Sequence, residues 1–270
     1  MASILPTGTF LGLDRHGFFI NPCSDERIRE PWRSIVHEAR DAYLQHLGSS
    51  LRSVYVRGSV ARGTAAEYVS DVDMLAVVNG EPTPSNLEWV DSCAEAIENK
   101  YPFAVGIEFA VYGYADVVGP LAYPGLRFLL KVLSVCIHGE DLTASIPPCA
   151  PSQVPLMHAP QLEENIKEVR LVLASRIDER AVTDLCRWVM KSIVRAGFEL
   201  VMKDENSYAR DLYPCYQAFS RHYPAEEDFM RRALELAVSP SPDPHALLSM
   251  LDECRRRLLP EIEARLDSDG

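Results

Sequence analysis

A proline-rich segment near the middle of the chain separates two parts of the sequence that follow different patterns. Five prolines lie between residues 147 and 160, and no helical or strand periodicity connects them. Proline fixes φ and lacks a backbone N–H, so such a segment does not continue a helix or a central strand. We therefore predict three parts, a first domain over 1–145, a linker over 146–160 and a second domain over 161–270.

The first part alternates between strand and helix patterns. Apolar runs predict four strands, the last at a sheet edge: 54–57, 72–78, 105–114 and 134–142. Amphipathic spacing predicts helices at 31–47, 84–100 and 124–133. Residues 10–21 are expected to form two short strands around a turn. The alternation predicts a small mixed β-sheet flanked by helices.

The second part is helical throughout. Apolar residues recur at helical spacing in five segments: 161–178, 181–203, 208–222, 225–238 and 244–267. This pattern predicts an all-α bundle of four or five helices. The predicted fold class of the whole chain is therefore α+β.

Charge and cysteine usage narrow the function classes. The formal net charge is −12, which argues against tight binding to long nucleic acid and is compatible with a cationic small substrate. The seven cysteines are scattered, without a CxxC pair, so we expect free thiols in a reducing compartment. We find no signal-peptide pattern and no stretch of roughly 18 apolar residues that would cross a membrane. The expected location is the cytoplasm, and the oligomeric state is left open.

The segment 54–78, VYVRGSVARGTAAEYVSDVDMLAVV, places two acidic residues at the start of an apolar strand. Side chains alternate along a strand, so Asp71 and Asp73 point the same way, with Cα atoms roughly 7 Å apart. Paired carboxylates suit Mg²⁺, and two such ions can clamp the attacking and leaving oxygens of an in-line displacement. A solvated edge strand is the simpler alternative, but the flanking residues are too apolar for it.

Gly58 and Ser59 follow the first of these strands. Glycine lets the backbone approach a ligand closely, and the short helical turn that begins at Ser59 offers N–H groups to an anion. A Gly-Ser turn alone is a weak signal, but the acidic pair twelve residues later makes it specific. The chain has neither a P-loop nor a Rossmann glycine fingerprint.

These residues together resemble the signature of the polymerase-beta-type nucleotidyltransferase superfamily, over residues 51–80 above all. The sequence of this motif is most similar to the motifs of the minimal nucleotidyltransferases and the antibiotic adenylyltransferases. The resemblance implies transfer of a nucleoside monophosphate from an NTP to a hydroxyl, with two Mg²⁺ ions and release of pyrophosphate. It implies that Asp71 and Asp73 are metal ligands and that Gly58 and Ser59 hold the triphosphate, with Ser70 also at the nucleotide.

The same resemblance calls for a third carboxylate on a later strand. In the sequence GIEFAVY, Glu108 is the ionisable residue on the polar face, and the streptomycin and spectinomycin adenylyltransferases place a Glu on a comparable strand. Glu108 either completes the metal site or deprotonates the acceptor hydroxyl. Asp116 is the rival candidate, although its position past the strand favours a capping role.

Basic residues are the remaining candidates for phosphate contacts. Near the Gly-Ser turn these are Arg62 and, with a surface role favoured, Arg57. In the helical part, LCRWVMKSIV is similar to a helix of the aminoglycoside adenylyltransferases, which suggests Arg187 and Lys191, and with less support Lys203.

The sequence thus favours an adenylyltransferase-like enzyme that uses ATP or another NTP and Mg²⁺. Its expected acceptor is a hydroxyl-bearing small molecule, with an aminoglycoside-like antibiotic as the first choice, bound between the two domains. One alternative is a nucleotidyltransferase of a toxin–antitoxin type system that modifies a protein or tRNA. The other is a non-catalytic nucleotide-binding module.

Overall fold

The computed structural model of the protein describes residues 6–84, 87–175 and 177–269. The chain forms two compact units, which we describe separately. The sheet unit comprises Leu13–Ala150, and the helical unit comprises Pro151–Gly270 together with Met1–Gly12.

The sheet unit contains one mixed four-stranded sheet. Its strands are β1 (Leu51–Arg57), β2 (Val72–Val78), β3 (Ile107–Gly113) and β4 (Ser134–Gly139). Its helices are α1 (Trp32–Leu47), α2 (Gly58–Arg62), α3 (Val90–Lys100), α4 (Tyr114–Val118) and α5 (Pro124–Leu133). The strand order is β3-β2-β1-β4, with β1 antiparallel to both β2 and β4, and β2 parallel to β3. A parallel pair needs a crossover connection, and α3 lies within it.

Both faces of the sheet are covered, so the strands are apolar on both sides. Val54, Val56 and Met74 lie on the face that packs against α1 and α3. Tyr55 and Leu75 lie on the opposite face, with apolar residues of α4 and α5. This double burial explains why the strands appear in the sequence as nearly continuous apolar runs.

Two sequence predictions in this unit differ from the structure by more than the ends of an element. The two short strands expected at 10–21 are reduced to a single bridge between Leu13 and Phe19. The helix expected at 84–100 begins at Val90, after a turn in which the Val90 N–H bonds to the Leu87 carbonyl at 3.0 Å. Ser85 and Asn86 of that prediction lie outside the described residues.

The helical unit consists of α6 (Leu162–Ala174), α7 (Glu179–Val201), α8 (Leu212–His222), α9 (Glu227–Val238), α10 (Pro244–Arg257) and α11 (Leu259–Asp269). The helix expected at 161–178 ends at Ala174, and its Arg176 lies outside the described residues. Asp178 instead caps α7, since its Oδ1 accepts the Ala181 N–H at 2.8 Å.

The helix expected at 244–267 is two helices. Pro260 has no N–H to donate to the carbonyl four residues earlier, so the first helix ends at Arg257 and a second begins at Leu259. The predicted α+β class is confirmed. The helices within the described ranges are all too short or too polar to cross a membrane.

Candidate functional site

A row of three charged residues crosses the sheet at one end of its central strands. Arg57 of β1 lies opposite Asp73 of β2, and Asp73 lies opposite Glu108 of β3. Residues directly opposite each other on neighbouring strands project to the same face. Asp73 and Glu108, which are 35 residues apart in the sequence, are therefore adjacent on one face of the sheet.

Arg57 joins the two carboxylates. Its Nη2 lies 3.0 Å from Asp73 Oδ1 and 2.6 Å from Glu108 Oε2. The side chains of Arg57 and Asp73 are 14% and 15% exposed, whereas that of Glu108 is 54% exposed. The surface role favoured for Arg57 from the sequence is therefore wrong. The antiparallel register between β1 and β2 places Arg57 opposite Asp73. This register cannot be deduced from the residues that surround Arg57 in the sequence.

Gly58 brings the backbone against the same carboxylate. Its φ is +76°, and a Cβ at this position would lie 2.4 Å from Asp73 Oδ2. Glycine is thus required both for the backbone conformation and for the close approach. Gly58 is also the first residue of the single-turn helix α2, whose C-cap residue Gly63 has a φ of +70°, as is typical of that position.

The pKa of Glu108 is raised from its ordinary value. Loss of solvent around the carboxylate is the main cause, and the negative charges of Asp73 and Asp71 act in the same direction. The Arg57 guanidinium opposes them by favouring the ionised form. A carboxylate with a raised pKa and an exposed side chain is suited to accept a proton from a bound hydroxyl.

Asp71 is exposed and lies one residue before the start of β2. The loop that leads to it is fixed by Ser70, whose Oγ accepts the Ala66 N–H at 3.0 Å. The Ser70 carbonyl accepts the Val105 N–H at 3.0 Å, which ties this loop to the segment before β3. In the structure, then, Ser70 organises the loop that carries Asp71.

Arg62 and Asp116, two further candidates from the sequence, also lie in the sheet unit. Arg62, the last residue of α2, is near enough to Cys23 for its positive charge to lower the pKa of that thiol, although burial raises the pKa to about 11 overall. Asp116 Oδ2 accepts the Gly113 N–H at 2.8 Å at the start of α4. Asp116 therefore has the capping role that the sequence favoured.

The basic candidates of the helical unit lie on or just after α7. Arg187 and Lys191 are one helical turn apart on α7, and Arg187 Nη1 pairs with Asp184 Oδ1 at 2.9 Å. Lys203 lies two residues beyond the end of the helix. Their contacts with a nucleotide stay predictions.

The positive charge next to Asp73 and Glu108 comes from the Arg57 side chain. Within residues 6–84, 87–175 and 177–269, no three or more His, Cys, Asp or Glu side chains converge on a common point that could hold a metal ion. Asp73 and Glu108 are instead joined through the Arg57 guanidinium, which shows that a cation is stabilised between these two carboxylates. Carboxylate oxygens are hard donors of the kind that Mg²⁺ prefers.

A buried carboxylate that the sequence did not predict, Glu199, lies inside the helical unit. Glu199 of α7 is 2% exposed and accepts the backbone N–H groups of Met157, His158 and Ala159 at 2.8–2.9 Å. Burial raises the pKa of Glu199 to about 7, and these N–H groups and the charge of Arg210 oppose the rise. The available signal was one acidic residue within the apolar stretch AGFELVM.

Part of the sheet unit matches a known family. Residues 38–108 match the family described as nucleotidyltransferase domain, a range that runs from within α1 through β1, α2, β2 and α3 to the start of β3. No curated protein matches the chain.

Among solved structures, the fold is similar to that of the spectinomycin adenyltransferase AAD(9) from Enterococcus faecialis, solved with ATP and spectinomycin. The TM-score is 0.58 at 15% identity, over 86% of this chain and 99% of the other.

Proposed function

We propose that this chain is a nucleotidyltransferase of the polymerase-beta-type superfamily and that it transfers a nucleoside monophosphate from an NTP to a hydroxyl of a small molecule, a proposal that the family match over residues 38–108 supports. The observation that carries the proposal is the pairing of Asp73 with Glu108 across β2 and β3, beside the close backbone of Gly58. ATP is the proposed donor, and AMP the group transferred.

Two carboxylates of the row fit a divalent cation, because Asp73 and Glu108 already contact the positive charge of Arg57 and Mg²⁺ is usually held by one or two carboxylates. Asp71, whose negative charge acts on Glu108, would be a further ligand beside Asp73. When bound, two Mg²⁺ ions supply charge neutralisation at the phosphate oxygens.

The remaining chemistry is assigned to groups of this chain. Gly58 and Ser59 hold the triphosphate, because the missing Cβ lets phosphate oxygens approach the backbone next to Asp73. Glu108 accepts the proton of the acceptor hydroxyl at its carboxylate, whose raised pKa suits that role. The hydroxyl oxygen forms a bond to the α-phosphorus, the bond from that phosphorus to the β-phosphate oxygen breaks, and pyrophosphate leaves.

The proposed acceptor is an aminoglycoside-like antibiotic. The fold similarity to an enzyme solved with ATP and spectinomycin supports this class, and the net charge of −12 is compatible with a cationic substrate. We propose the cytoplasm as the location, because the cysteines of the described residues are all free thiols.

Pyrophosphate release tests the proposal. Purified protein with ATP, Mg²⁺ and a panel of aminoglycosides and aminocyclitols should release pyrophosphate with at least one acceptor, and mass spectrometry should find that acceptor adenylylated. Asp73→Asn should lower the rate at least about 1000-fold, since charge stabilisation of the transferring group is among the largest catalytic terms. Asp41→Asn, which changes an exposed aspartate on α1, should leave the rate unchanged.

Two outcomes would contradict the proposed acceptor or activity. Labelling of a protein or tRNA in place of every small molecule would assign the chain to the toxin–antitoxin type reaction. Binding of ATP without any pyrophosphate release would make it a nucleotide-binding module.

A further inference from the structure

The Arg57 side chain lies between the two carboxylates of the row, which are also proposed metal ligands. One nitrogen, Nη2, contacts both Asp73 Oδ1 and Glu108 Oε2, and the side chain is 14% exposed. Within the site it is the group whose charge compensates the two carboxylates. The inference below rests on the proposed function, because it concerns the same metal site.

A guanidinium and a divalent cation compete for these oxygens. Two positive charges within a few ångströms repel each other strongly where solvent is largely excluded. Asp73 Oδ2 lies next to Gly58, so close that a Cβ there would be 2.4 Å away, and Asp73 Oδ1 and Glu108 Oε2 are the oxygens that Arg57 contacts. A cation that engages these two oxygens must therefore displace Arg57.

We propose that Arg57 is a positioning residue that acts as a built-in counter-cation. It holds Asp73 and Glu108 together before a divalent cation binds, and it gives way when the cation arrives. Displacement lowers the affinity for the bare ion. The phosphates of a nucleotide offer the displaced guanidinium a new partner next to Gly58, so the cation and the nucleotide bind together.

Binding of Mn²⁺ alone, measured by electron paramagnetic resonance at pH 8, tests the proposal without any turnover. Arg57→Gln should bind Mn²⁺ at least about tenfold more tightly than the wild type, because an arginine beside a carboxylate shifts its equilibria by one or more powers of ten. Arg57→Lys keeps one charge but not the planar fork, and should fall between the two.

Two controls define what the measurement means. Arg52→Gln removes an arginine from the same strand, where it pairs with Glu140 at 2.7 Å, and should change Mn²⁺ affinity less than about twofold at this distance from the site. Asp73→Asn should abolish binding, because it removes a proposed ligand.

Thermal unfolding in the presence of a chelator tests the other part of the proposal, that Arg57 holds Asp73 and Glu108 together when no divalent cation is bound. Arg57→Gln should lower the unfolding midpoint, and adding Asp73→Asn should recover part of that loss, because fewer like charges then repel each other. The Arg57→Lys variant provides the same comparison should the glutamine variant not fold.

The outcomes separate this inference from the proposed function. Wild-type protein that binds Mn²⁺ through Asp73, with Arg57→Gln binding no more tightly, would overturn the counter-cation role and leave the proposed function standing. If neither wild type nor Arg57→Gln binds Mn²⁺, both fail. A double variant that unfolds at no higher temperature than Arg57→Gln would likewise overturn the inference.

Discussion

The carboxylate pair of the sheet and the single buried carboxylate of the helical unit are hydrogen-bonded by different kinds of partner. At the end of the sheet, Asp73 and Glu108 are bridged by a side chain, and Glu108 is 54% exposed. Inside the helical unit, Glu199 is 2% exposed and is held by three backbone N–H groups. A side-chain partner can rotate away and be replaced by another cation, whereas backbone donors stay in place. The first arrangement is suited to binding and the second to holding a loop.

The largest effect is expected from removing the buried carboxylate of Glu199. Glu199→Ala leaves the N–H groups of 157–159 without their acceptor, so we expect the free energy of unfolding to fall by about 4 kcal/mol. Fluorine NMR of 5-fluorotryptophan-labelled protein in urea checks this, because Trp188 belongs to the helical unit and Trp32 and Trp89 to the sheet unit. The Trp188 transition should shift to lower urea concentration.

Glu164→Ala on α6 serves as the matched control. That side chain is 74% exposed, so its removal should change the free energy of unfolding by less than about 0.5 kcal/mol. Equal shifts for both variants would show that Glu199 is no more important than a surface residue.

The next effect is a pH dependence of the helical unit. The folded-state pKa of Glu199 is raised to about 7, so the folded state binds the proton more tightly than the unfolded chain does. Its contribution is stabilising at acidic pH and is lost as the pH rises from about 4.5 to about 7, by roughly 3 kcal/mol. The difference in unfolding free energy between wild type and Glu199→Gln should change by this amount across that window and stay constant above it.

His158 explains why a difference measurement is needed. Burial, with Arg195 and Arg210 nearby, lowers the pKa of His158 to about 3, so its contribution is lost as the pH falls below its unfolded value near 6.5. Glu199 and His158 therefore change stability in opposite directions between about pH 4.5 and 6.5. Both proteins in the comparison contain His158, so its effect cancels, and a flat difference would contradict the raised pKa of Glu199.

The smallest of these effects concerns Asp73, the carboxylate of the sheet that lies beside Gly58. Gly58→Ala places a Cβ against Asp73 Oδ2 and should move that carboxylate, lowering the transfer rate about 100-fold, or about 2.7 kcal/mol. Gly80→Ala is the control, because Gly80 also has a positive φ, +104°, but a Cβ there meets nothing within 4 Å. Equal rate losses in the two variants would show that backbone strain, and not contact with Asp73, is responsible.

Strand and helix identity could be predicted from the sequence where the local pattern was decisive. β2 occupies the predicted residues, 72–78, because an apolar run is bounded by an acidic pair and an Asn-Gly turn. The break of the last helix at Pro260 was visible in the sequence but was outweighed by the continuing apolar periodicity.

The site could be predicted only in part, because strand register is a tertiary property. Glu108 was identified from the polar face of its own strand, but its position opposite Asp73 follows from the β2–β3 pairing. Arg57 was given a surface role, since nothing local to VYVRG indicates which residue of the next strand faces it. Glu199 was missed because its partners are backbone groups about 40 residues away, which no side-chain pattern indicates.

The parallel pairing of β2 with β3 also has a consequence for folding. Asp73 and Glu108 come together only when two strands separated by α3 have paired, and the entropy of closing the intervening chain must be overcome before this contact contributes. A chain in which β2 and β3 have not paired therefore carries both acidic residues but no assembled carboxylate pair. The candidate site is acquired together with the completed sheet.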